Sequence, residues 1–310
     1  GKIVLTEAAT GNFVVTPIIA ALSGAKVIAY TKDTEYGSVN EVKKQTYSLA
    51  KEFGIEREIA IITSMDEIPF RDLDIVTNTG FLRPIDKKFV NKLSSNCVIP
   101  LMWEPWEYRE DELDIDTCAK KGIKVYGTNE SDERLQTFNY LGLIVLYWLL
   151  HKKISPIFSN ILIIGNEQFT EPISRYLKRN NYKHKIILDY NETVNCEQYN
   201  CIVVSEILSS RLIIGDIKNN AFIDRKHLAK KLVIHIAGNI ELGNHSNCIP
   251  QHPKSFPKMS FTADFIDIKA VIDLHTAGLK VAEGMLIAKR KKLMPAEFKN
   301  FMERYYPCLL

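Results

Sequence analysis

The stretch Ile161-Leu-Ile-Ile-Gly-Asn-Glu-Gln-Phe-Thr-Glu-Pro-Ile-Ser174 decides the fold of this 310-residue chain. Its apolar start predicts a buried strand, and Gly165 predicts a sharp turn. Pro172 is expected in the first turn of the helix that follows. A buried strand that turns at once into a helix is typical of a parallel sheet with crossover helices. The stretch therefore indicates an α/β protein.

The same alternation of short β-branched runs and helical segments extends along nearly the whole chain. It predicts a first set of strands at Lys2–Thr6, Lys26–Tyr30, Glu58–Thr63, Asp74–Thr77, Cys97–Met102 and Ile123–Tyr126, and a second set at Asn160–Ile164, Lys185–Leu188, Cys201–Val204, Leu232–Ile236 and Met259–Phe265. We expect two Rossmann-like domains with parallel sheets.

A long helix is predicted between the two sets, from Asp132 to Lys153, with acidic residues in its first turn and lysines in its last. We expect this helix to join the domains. The predicted organisation is an N-terminal flavodoxin- or Rossmann-like domain at 1–131, an interdomain helix at 132–153 and a degenerate nucleotide-binding domain at 154–293.

Composition argues against several classes of function. Lys+Arg 40 against Asp+Glu 37 gives a net charge of only +3, so there is no electrostatic footprint for nucleic acid. The longest apolar run, Tyr140–Leu150, is shorter than the roughly 20 residues that a helix needs to cross a bilayer. Nothing at Lys2–Leu5 marks the chain for secretion, although an upstream segment could have been removed. The 6 cysteines form no CxxC pair, so we expect reduced thiols and a cytoplasmic protein.

The turn at Gly165 stands where a Rossmann unit binds the diphosphate of a dinucleotide. In the usual GxGxxG pattern, the second and third glycines allow close approach of the phosphates and of the helix. Here those positions hold Glu167 and Thr170, so only the first glycine is present, and a carboxylate would face the diphosphate. Gly165 and Asn166 remain candidates to bind NAD or NADP, and we expect that binding to be weak or altered.

Two further cofactor candidates follow neighbouring strands. Asp189 lies after the second strand of this domain, where an acceptor for the ribose hydroxyls belongs. The alternative is an ordinary aspartate in a turn at the end of a strand. Ser205 follows the next predicted strand, Cys201–Val204, at the same edge of the sheet.

Two segments carry a family resemblance. Asp114-Ile-Asp-Thr-Cys-Ala-Lys-Lys-Gly-Ile-Lys-Val125 and Leu274-His-Thr-Ala-Gly-Leu-Lys-Val-Ala-Glu-Gly-Met285 are similar to the formate/glycerate dehydrogenase-like group, which includes the D-2-hydroxyacid dehydrogenases. The resemblance implies that His275, before a helix from about Leu279, is the acid/base residue that exchanges a proton with the substrate while hydride moves to the nicotinamide. It also implies an acidic partner of His275 just beyond Ala263-Asp-Phe-Ile266, where the sequence offers Asp267 or Lys269 depending on the alignment, so that Asp267 is a candidate. It further implies that 294–310 packs back on the first domain.

The sequence departs from that family at the anion clamp. The family's catalytic arginine follows the last parallel strand of the nucleotide domain, and the matching position here is Gly238. A glycine cannot bind a carboxylate in the bidentate manner of arginine. The resemblance therefore supports the architecture better than it supports oxidation of a hydroxyacid.

Substrate candidates lie in three loops of the first domain. Backbone amides at Thr10, Gly11 and Asn12 could bind an anion after the first strand, although a tight strand-to-helix turn explains the same residues. A second loop offers Asn78, Gly80 and Arg83, of which Arg83 is the best remaining group for an anionic substrate. Trp103 and Glu104 begin a third loop and suggest a cationic or sugar-like group packed on an indole, unless Trp103 only anchors the loop on the core.

No metal site is expected. His245, Cys248 and His252 have a spacing compatible with zinc, but a fourth obvious ligand is missing. His235 lies on a predicted buried strand and is expected to be a hydrogen-bonded core histidine.

Two hypotheses follow, and both place a small-molecule ligand in the cleft between the domains. The first is an NAD(P)-dependent oxidoreductase with an altered substrate. The second is a non-catalytic ligand-binding or regulatory protein on the same scaffold. A third, chemistry like that of S-adenosylhomocysteine hydrolase, needs a conventional NAD loop and ranks last. The apolar character of Tyr140–Leu150 exceeds what one helix must bury, so a homodimer is also expected.

Overall fold

The computed structural model describes residues 1–309, which form two compact units. Unit 1 contains Gly1–Leu135 and the chain from Ile268 onward, and unit 2 contains Gln136–Asp267. Each unit is built around its own parallel sheet, and the predicted α/β fold class is confirmed.

Unit 1 is a seven-stranded sheet covered by helices. Its first part comprises β1 (Ile3–Glu7), α1 (Val15–Leu22), β2 (Lys26–Tyr30), α2 (Val39–Glu52), β3 (Ile59–Ile62), β4 (Ile75–Val76), α3 (Lys87–Lys92), β5 (Val98–Pro100), α4 (Ile115–Lys120) and β6 (Lys124–Thr128). The six strands run parallel in the order β6-β5-β4-β1-β2-β3.

Unit 2 has a five-stranded parallel sheet and a separate three-stranded one. Its elements are α5 (Asn139–His151), β7 (Asn160–Gly165), α6 (Glu167–Arg179), β8 (Lys183–Ile187), β9 (Cys201–Ser205), β10 (Leu212–Gly215), β11 (Ile223–Asp224), β12 (Leu232–Ala237), β13 (Asn239–Ile240) and β14 (Cys248–Ile249). The larger sheet has the order β14-β12-β9-β7-β8, and the smaller has β11-β10-β13.

The C-terminal part of the chain belongs to unit 1. It comprises α7 (Lys269–Arg290), α8 (Pro295–Tyr305) and β15 (Cys308–Leu309), which pairs antiparallel with β6. Val281 and Met285 of α7 and Phe298 and Met302 of α8 are buried in one core with strand residues of the first sheet. Because that apolar face of α7 covers the first sheet, the chain divides after Asp267 and not after residue 293, the boundary predicted from the sequence.

Three predicted elements differ from the structure. The helix expected from Asp132 to Lys153 begins only at Asn139, since Asp132 accepts a hydrogen bond from the amide of Arg134 in a turn and Gln136 has a φ of 52°. The strand expected at Met259–Phe265 is replaced by turns and a short 3₁₀ helix. The helix expected from about Leu279 begins ten residues earlier, at Lys269.

Helix α6 also begins earlier than predicted. It starts at Glu167, so that Pro172 lies inside the helix and not in its first turn. Gly142 of α5 lies against this region, where a Cβ would approach the carbonyl oxygen of Pro172 to 2.8 Å. The missing side chain at Gly142 therefore lets α5 pack closely on α6.

Candidate functional site

The sheet of unit 1 has a topological switch point. The chain builds outward from β1 to β3 and then returns to β4 on the other side of β1. Open α/β sheets bind ligands at such a point, beyond the carboxyl ends of the strands. The loops that leave β1 and β4 contain six of the predicted substrate residues, namely Thr10, Gly11, Asn12, Asn78, Gly80 and Arg83.

Glu7 ends β1 at this crevice and is only 6% exposed. Its Oε2 atom accepts a hydrogen bond of 3.0 Å from the amide of Phe81. A Cβ at Gly80 would lie 2.6 Å from the same oxygen, so the glycine is needed for this approach. Burial raises the pKa of Glu7, although the amide of Phe81 and the charge of Arg83 offset part of that effect. Glu7 is not among the residues predicted from the sequence.

Three buried threonines are joined by hydrogen bonds at the strand ends that form this crevice. Thr77 donates a hydrogen bond of 2.9 Å to Thr6, and its hydroxyl also lies 2.9 Å from that of Thr79. Thr79 in turn accepts from the amide of Glu7 at 3.3 Å. These bonds join the end of β1 to the loop after β4, so the position of Glu7 is fixed by side chains as well as by the strand.

Arg83 is held by both ends of the loop that follows β5. Its guanidinium lies 2.7 Å from the carboxylate of Glu112 and 5.0 Å from the centre of the Trp103 ring. Asn78 is buried, and its Oδ1 accepts from the amide of Met102 at 2.9 Å. The structure thus brings together Asn78, Gly80, Arg83 and Trp103 around the crevice.

The loop after β1 uses its polar groups within the chain. Thr10 donates its hydroxyl proton to the carbonyl oxygen of Tyr36 at 2.8 Å, and the amide of Gly11 donates to Oε1 of Gln45 at 3.2 Å. Gly11 has a φ of 63° and begins a short 3₁₀ helix that includes Asn12. These bonds tie the loop to the segment around α2, which is the tight-turn alternative given above.

Thr31 provides an unsatisfied polar atom at the same edge of the sheet. It follows β2 directly, and its Oγ1 is buried without a hydrogen-bond partner. The adjacent Lys32 places its ammonium 5.8 Å from the centre of the Phe81 ring, on the residue whose amide binds Glu7. A buried hydroxyl without a partner is unfavourable unless a ligand or water satisfies it.

Glu104 belongs to a buried group of carboxyl side chains beside this crevice. It is 1% exposed, and it accepts from Nε1 of Trp106 at 2.6 Å and from the amide of Glu130 at 3.0 Å. Burial, and then the neighbouring carboxylates, raise the pKa of Glu107 and that of Glu130. The side chain of Glu104 therefore organises its own loop.

His275 lies inside α7, two turns from its N-terminus, and not at the start of a helix. Its ring is 3% exposed, and Nδ1 lies 2.7 Å from the hydroxyl of Thr16 on α1. Burial lowers the pKa of His275 to about 4, so the imidazole is neutral at pH 7. An acid/base group works best with a pKa near the operating pH, so this environment is poorly matched to proton exchange. Asp267 is exposed and ends unit 2.

Unit 2 has its own switch point, between β7 and β9. Gly165 pairs with Ser205 there, and a Cβ at Gly165 would collide with the carbonyl group of Ser205. Asn166 follows, with Oδ1 accepting from the amide of Ile207 at 3.3 Å and Nδ2 buried without a partner. The structure thus brings together three of the four predicted cofactor residues.

A side-chain bridge crosses the end of β7 in this unit. Tyr190, after β8, donates a hydrogen bond of 2.6 Å to Glu206, after β9, and β7 lies between these strands. Glu206 also accepts from the amides of Leu208 and Ser209. Burial, with the bond to Glu206, raises the pKa of Tyr190. Asp189 is exposed and accepts from the amide and side chain of Asn191, as an aspartate in a turn does.

The residues of unit 2 therefore suit a dinucleotide only at the turn formed by Gly165 and Asn166. Gly165 gives the close strand approach, and Nδ2 of Asn166 is a donor without a partner. Glu167 is exposed in the first turn of α6, where the fold binds phosphate, and the bridge of Tyr190 crosses the neighbouring crevice. The residues after Gly165 and Asn166 do not suit a dinucleotide bound in the usual manner.

His235 and Gly238 show why the position of the family's arginine holds a glycine. Nδ1 of His235 lies 2.7 Å from the hydroxyl of Ser260, and Nε2 lies 3.0 Å from the carbonyl oxygen of Gly238. Burial lowers the pKa of His235, which fits the expected core histidine. Gly238 has a φ of 128°, and a Cβ there would lie 2.9 Å from Val204.

Neither a metal cluster nor a membrane helix was found in the described part of the chain. Among residues 1–309, no group of three or more histidine, cysteine, aspartate or glutamate residues is arranged to bind a metal ion. The spacing of His245, Cys248 and His252 is not accompanied by such a group. Within the same residues, none of the helices combines the length and the apolar character that a bilayer crossing demands.

Comparison with solved structures identifies the fold. The chain is similar to a D-lactate dehydrogenase from Treponema pallidum, with a TM-score of 0.50 and 10% identity over 95% of this chain and 98% of that one. Dipicolinate synthase A chain from Bacillus subtilis matches with a TM-score of 0.49 and 9% identity over 94% and 97% of the two chains. A D-isomer-specific 2-hydroxyacid dehydrogenase from Lactobacillus delbrueckii ssp. bulgaricus matches with a TM-score of 0.47 and 10% identity over 96% and 99%.

This chain has a dehydrogenase-like fold. The likeness to the D-lactate dehydrogenase confirms the predicted resemblance at the level of the fold. No family model and no curated protein sequence matches the chain. Because fold alone does not fix a function, the activity must be argued from the residues of the site.

Proposed function

We propose that this protein binds a small anionic molecule at the switch point of unit 1, on a dehydrogenase-like scaffold. The observation that carries the proposal is the buried carboxyl of Glu7 at the end of β1, beside Arg83 and the unsatisfied hydroxyl of Thr31. Titratable groups with raised pKa values in a strand-end crevice are typical of ligand sites.

The chemistry of these groups favours an oxygen-rich anion such as a carboxylate or phosphate. A carboxyl with a raised pKa is protonated over a wider range of pH, so Glu7 can donate a hydrogen bond to an acceptor oxygen. Arg83 is partly exposed and has five N–H donors, so its ion pair with Glu112 leaves donors for a ligand. Trp103 offers an aromatic surface at the same place.

The test is a thermal-shift panel of small carboxylates, phosphates and dinucleotides. A ligand that binds the folded state raises the unfolding temperature. We expect a carboxylate or phosphate to give a shift that Arg83→Gln weakens by about tenfold or more in affinity, since a charge-assisted hydrogen bond contributes about 1.5–3 kcal/mol. Arg71→Gln, at an exposed arginine of the same unit, is the matched control. Equal shifts in both variants would reject Arg83 as a ligand residue.

Substitution of Glu7 gives an independent prediction. Glu7→Gln keeps one donor and one acceptor, so we expect binding to persist with less dependence on pH. In the wild type, affinity for an anion should fall as pH rises through the raised pKa of Glu7, because the ionised carboxylate repels the ligand. Isothermal titration calorimetry from pH 5 to 8 measures the affinity for the anion and its dependence on pH. An identical pH dependence in wild type and Glu7→Gln would exclude Glu7 from the site.

A second candidate function is an NAD(P)-dependent oxidoreductase with an altered substrate. The close approach of Gly165 to Ser205 and the partnerless Nδ2 of Asn166 favour it. In this function Gly165, Asn166, Ser205 and Asp189 would hold NAD or NADP, which supplies hydride transfer when bound. The burial and lowered pKa of His275 count against the proton exchange expected of His275 and Asp267. Any binding of NAD(H) or NADP(H) in the thermal-shift panel would support this candidate.

If a dinucleotide binds, Glu167 should weaken the interaction. Glu167→Gly removes a negative charge and a side chain from the first turn of α6, so we expect tighter binding of NAD(H), by about two- to fivefold for an exposed charge at a helix N-terminus. Glu171→Gly, one turn later on the same helix, controls for the loss of helix propensity. Unchanged or weaker affinity in Glu167→Gly would mean that this turn is not a phosphate site.

The expected homodimer has support in unit 2. The end of α5 and the segment after it expose the apolar side chains of Tyr147, Leu150, Ile157 and Phe158, the last two being 74% and 86% exposed. Exposed apolar patches of this kind are typical of protein interfaces. We expect Phe158→Asp to convert a dimer to a monomer in multi-angle light scattering, whereas Tyr36→Asp, at an exposed aromatic of unit 1, should not. A monomeric wild type would contradict the dimer.

A reducing compartment also suits the chain. Cys97, Cys118, Cys196, Cys201 and Cys248 are buried and free. Burial raises the pKa of Cys97 and Cys118 to about 12, which keeps these thiols protonated and unreactive. These properties support a cytoplasmic location.

A further inference from the structure

A cavity of about 940 Å³ lies at the amino ends of the central strands of unit 1. Lys2, Ala25 and Asp74 directly precede β1, β2 and β4, and all three residues line it. Glu7 and Arg83 follow the carboxyl ends of β1 and β4, at the opposite edge of the same sheet. Small-molecule sites have volumes of about 300–1,000 Å³, so this space is large enough for a ligand. We refer to it as the amino-end cavity.

Apolar side chains line the amino-end cavity on two sides. Val4, Ala25 and Ile75 line it from the sheet, and all three are buried. The other apolar side chains come from α1 and α7 and are partly buried, namely Ile19, Leu279, Leu286 and Ile287. An apolar group placed between these two sides would lose contact with water, which favours its binding.

The charged groups of the cavity have an excess of positive charge. Four basic and two acidic side chains line it: Lys2, Lys280, Lys289, Arg290, Asp74 and Glu283. Lys2 lies 2.7 Å from the carboxylate of Asp74, and Lys280 lies 2.6 Å from that of Glu283. Each carboxylate is therefore paired with a lysine, and the charge that is left over is positive.

Lys289 is occupied by backbone groups. Its ammonium donates to the carbonyl oxygens of Ser95, Cys97 and Gly122, the last at 3.0 Å. An ammonium group has three donors, so these bonds use all of them. The same bonds join the carboxyl end of α7 to the turns before β5 and β6.

Arg290 is the cation that remains for a ligand. Within residues 1–309, no hydrogen bond or ion pair of its guanidinium is found, although the side chain lines the cavity. Asn96 also lines the cavity and follows Ser95, just as Arg290 follows Lys289. The bond between Lys289 and Ser95 therefore places Arg290 and Asn96 at the same end of the cavity. Guanidinium and amide N–H groups are suitable donors to a carboxylate.

We propose that the amino-end cavity binds a free amphipathic carboxylate, with its carboxylate at Arg290 and Asn96 and its apolar chain along α7 towards Leu279. The distance from Leu279 to Arg290 along the helix axis is about 16 Å, at 1.5 Å per residue, which suits an extended chain. The apolar walls match the chain, and the unpaired guanidinium matches the head group. This site does not depend on the proposed function, because it lies at the other edge of the sheet.

Isothermal titration calorimetry with decanoate, kept below the concentration at which it forms micelles, tests the proposal. We expect saturable binding of one decanoate per chain. Acetate, which has the head group without the chain, should not compete. 1-Decanol, which has the chain without the charge, should bind about tenfold more weakly or less, because it lacks the charge-assisted hydrogen bond. Equal affinities for decanoate and 1-decanol would contradict the role of Arg290.

Arg290→Gln tests the position of the head group. We expect this variant to bind decanoate about tenfold more weakly or less, since the charge-assisted hydrogen bond is lost. Arg57→Gln, at another exposed arginine of unit 1, is the matched control and should bind as the wild type does. Arg83→Gln should also bind decanoate normally, which separates this site from the crevice at Glu7.

Leu286→Trp tests the position of the chain, because the larger side chain reduces the space beside α7. We expect it to weaken decanoate binding severalfold. Leu22→Trp, at a leucine of α1 that is 52% exposed, makes the same change outside the cavity and should not weaken binding. Circular dichroism during heating verifies that both variants are folded. If Leu286→Trp does not fold, the comparison of Arg290→Gln with Arg57→Gln decides.

The proposal is overturned if the wild type shows no saturable binding of decanoate, or if Arg290→Gln and Arg57→Gln bind it equally. Loss of binding in Arg83→Gln alone would also overturn it, because decanoate would then occupy the crevice at Glu7. Failure of these experiments leaves the thermal-shift panel for small anions unaffected. A panel without any shift would reject the proposed function and leave the amino-end cavity in place.

Discussion

Gly165→Ala is expected to destabilise unit 2 by about 3 kcal/mol or more, at the upper end of the cost of overpacking. The added methyl group would overlap the carbonyl carbon and oxygen of Ser205, which is paired with Gly165 across β7 and β9. Main-chain atoms in the middle of a sheet cannot move aside as a flexible side chain can. Differential scanning calorimetry should show the unfolding temperature of unit 2 lowered by about 10 °C.

The double variant Gly165→Ala with Ser205→Ala tests the physical reason. Removing the Ser205 hydroxyl leaves the carbonyl group in place, so we expect no rescue of stability. Recovery in the double variant would show that the hydroxyl causes the clash, and a loss below about 1 kcal/mol in Gly165→Ala would show that the strands can separate. Either result would contradict the claim that the carbonyl group of Ser205 requires a glycine at position 165.

The elements that the sequence predicts well are those with long, uniform apolar runs. β2 is predicted with its observed bounds, and β7 and β12 differ from their predictions by one residue at the carboxyl end. Their residues are apolar on both faces because a central parallel strand is covered on both sides. β10, β11, β13 and β14 were not predicted, whereas β4 was. β4, β11, β13 and β14 have only two residues each, and a pattern that short carries no periodicity, so it does not separate the predicted strand from the others.

The site is less predictable than the fold because its groups meet through contacts between distant residues. Gly165 could be selected from the sequence, since a glycine after an apolar strand marks a turn. Glu7 could not, because its burial depends on Gly80 and Phe81, more than 70 residues away. Glu104 could be selected as an acidic residue within an aromatic segment, but its bond to the amide of Glu130, 26 residues away, could not.

The position of Gly238 explains why restoring the family's arginine should fail. The residue has a φ of 128°, which side-chain-bearing residues rarely adopt, and a Cβ would lie 2.9 Å from Val204. Its carbonyl oxygen also lies 3.0 Å from Nε2 of His235, so a shift of the backbone would leave a buried imidazole without that partner. Backbone strain, steric overlap and the lost hydrogen bond all act in the same direction.

Gly238→Arg is therefore expected to cost about 3 kcal/mol or more of stability, from about 1–3 kcal/mol for backbone strain and a similar amount for overpacking. We also expect no oxidation of 2-hydroxyacids with NAD or NADP, since the turn would rearrange before the guanidinium could reach a substrate. Glu241→Arg, three residues later and exposed, adds the same side chain with an expected change within about 0.5 kcal/mol. A stable Gly238→Arg variant that gained dehydrogenase activity would show that unit 2 retains a working site, and would make the oxidoreductase the leading function.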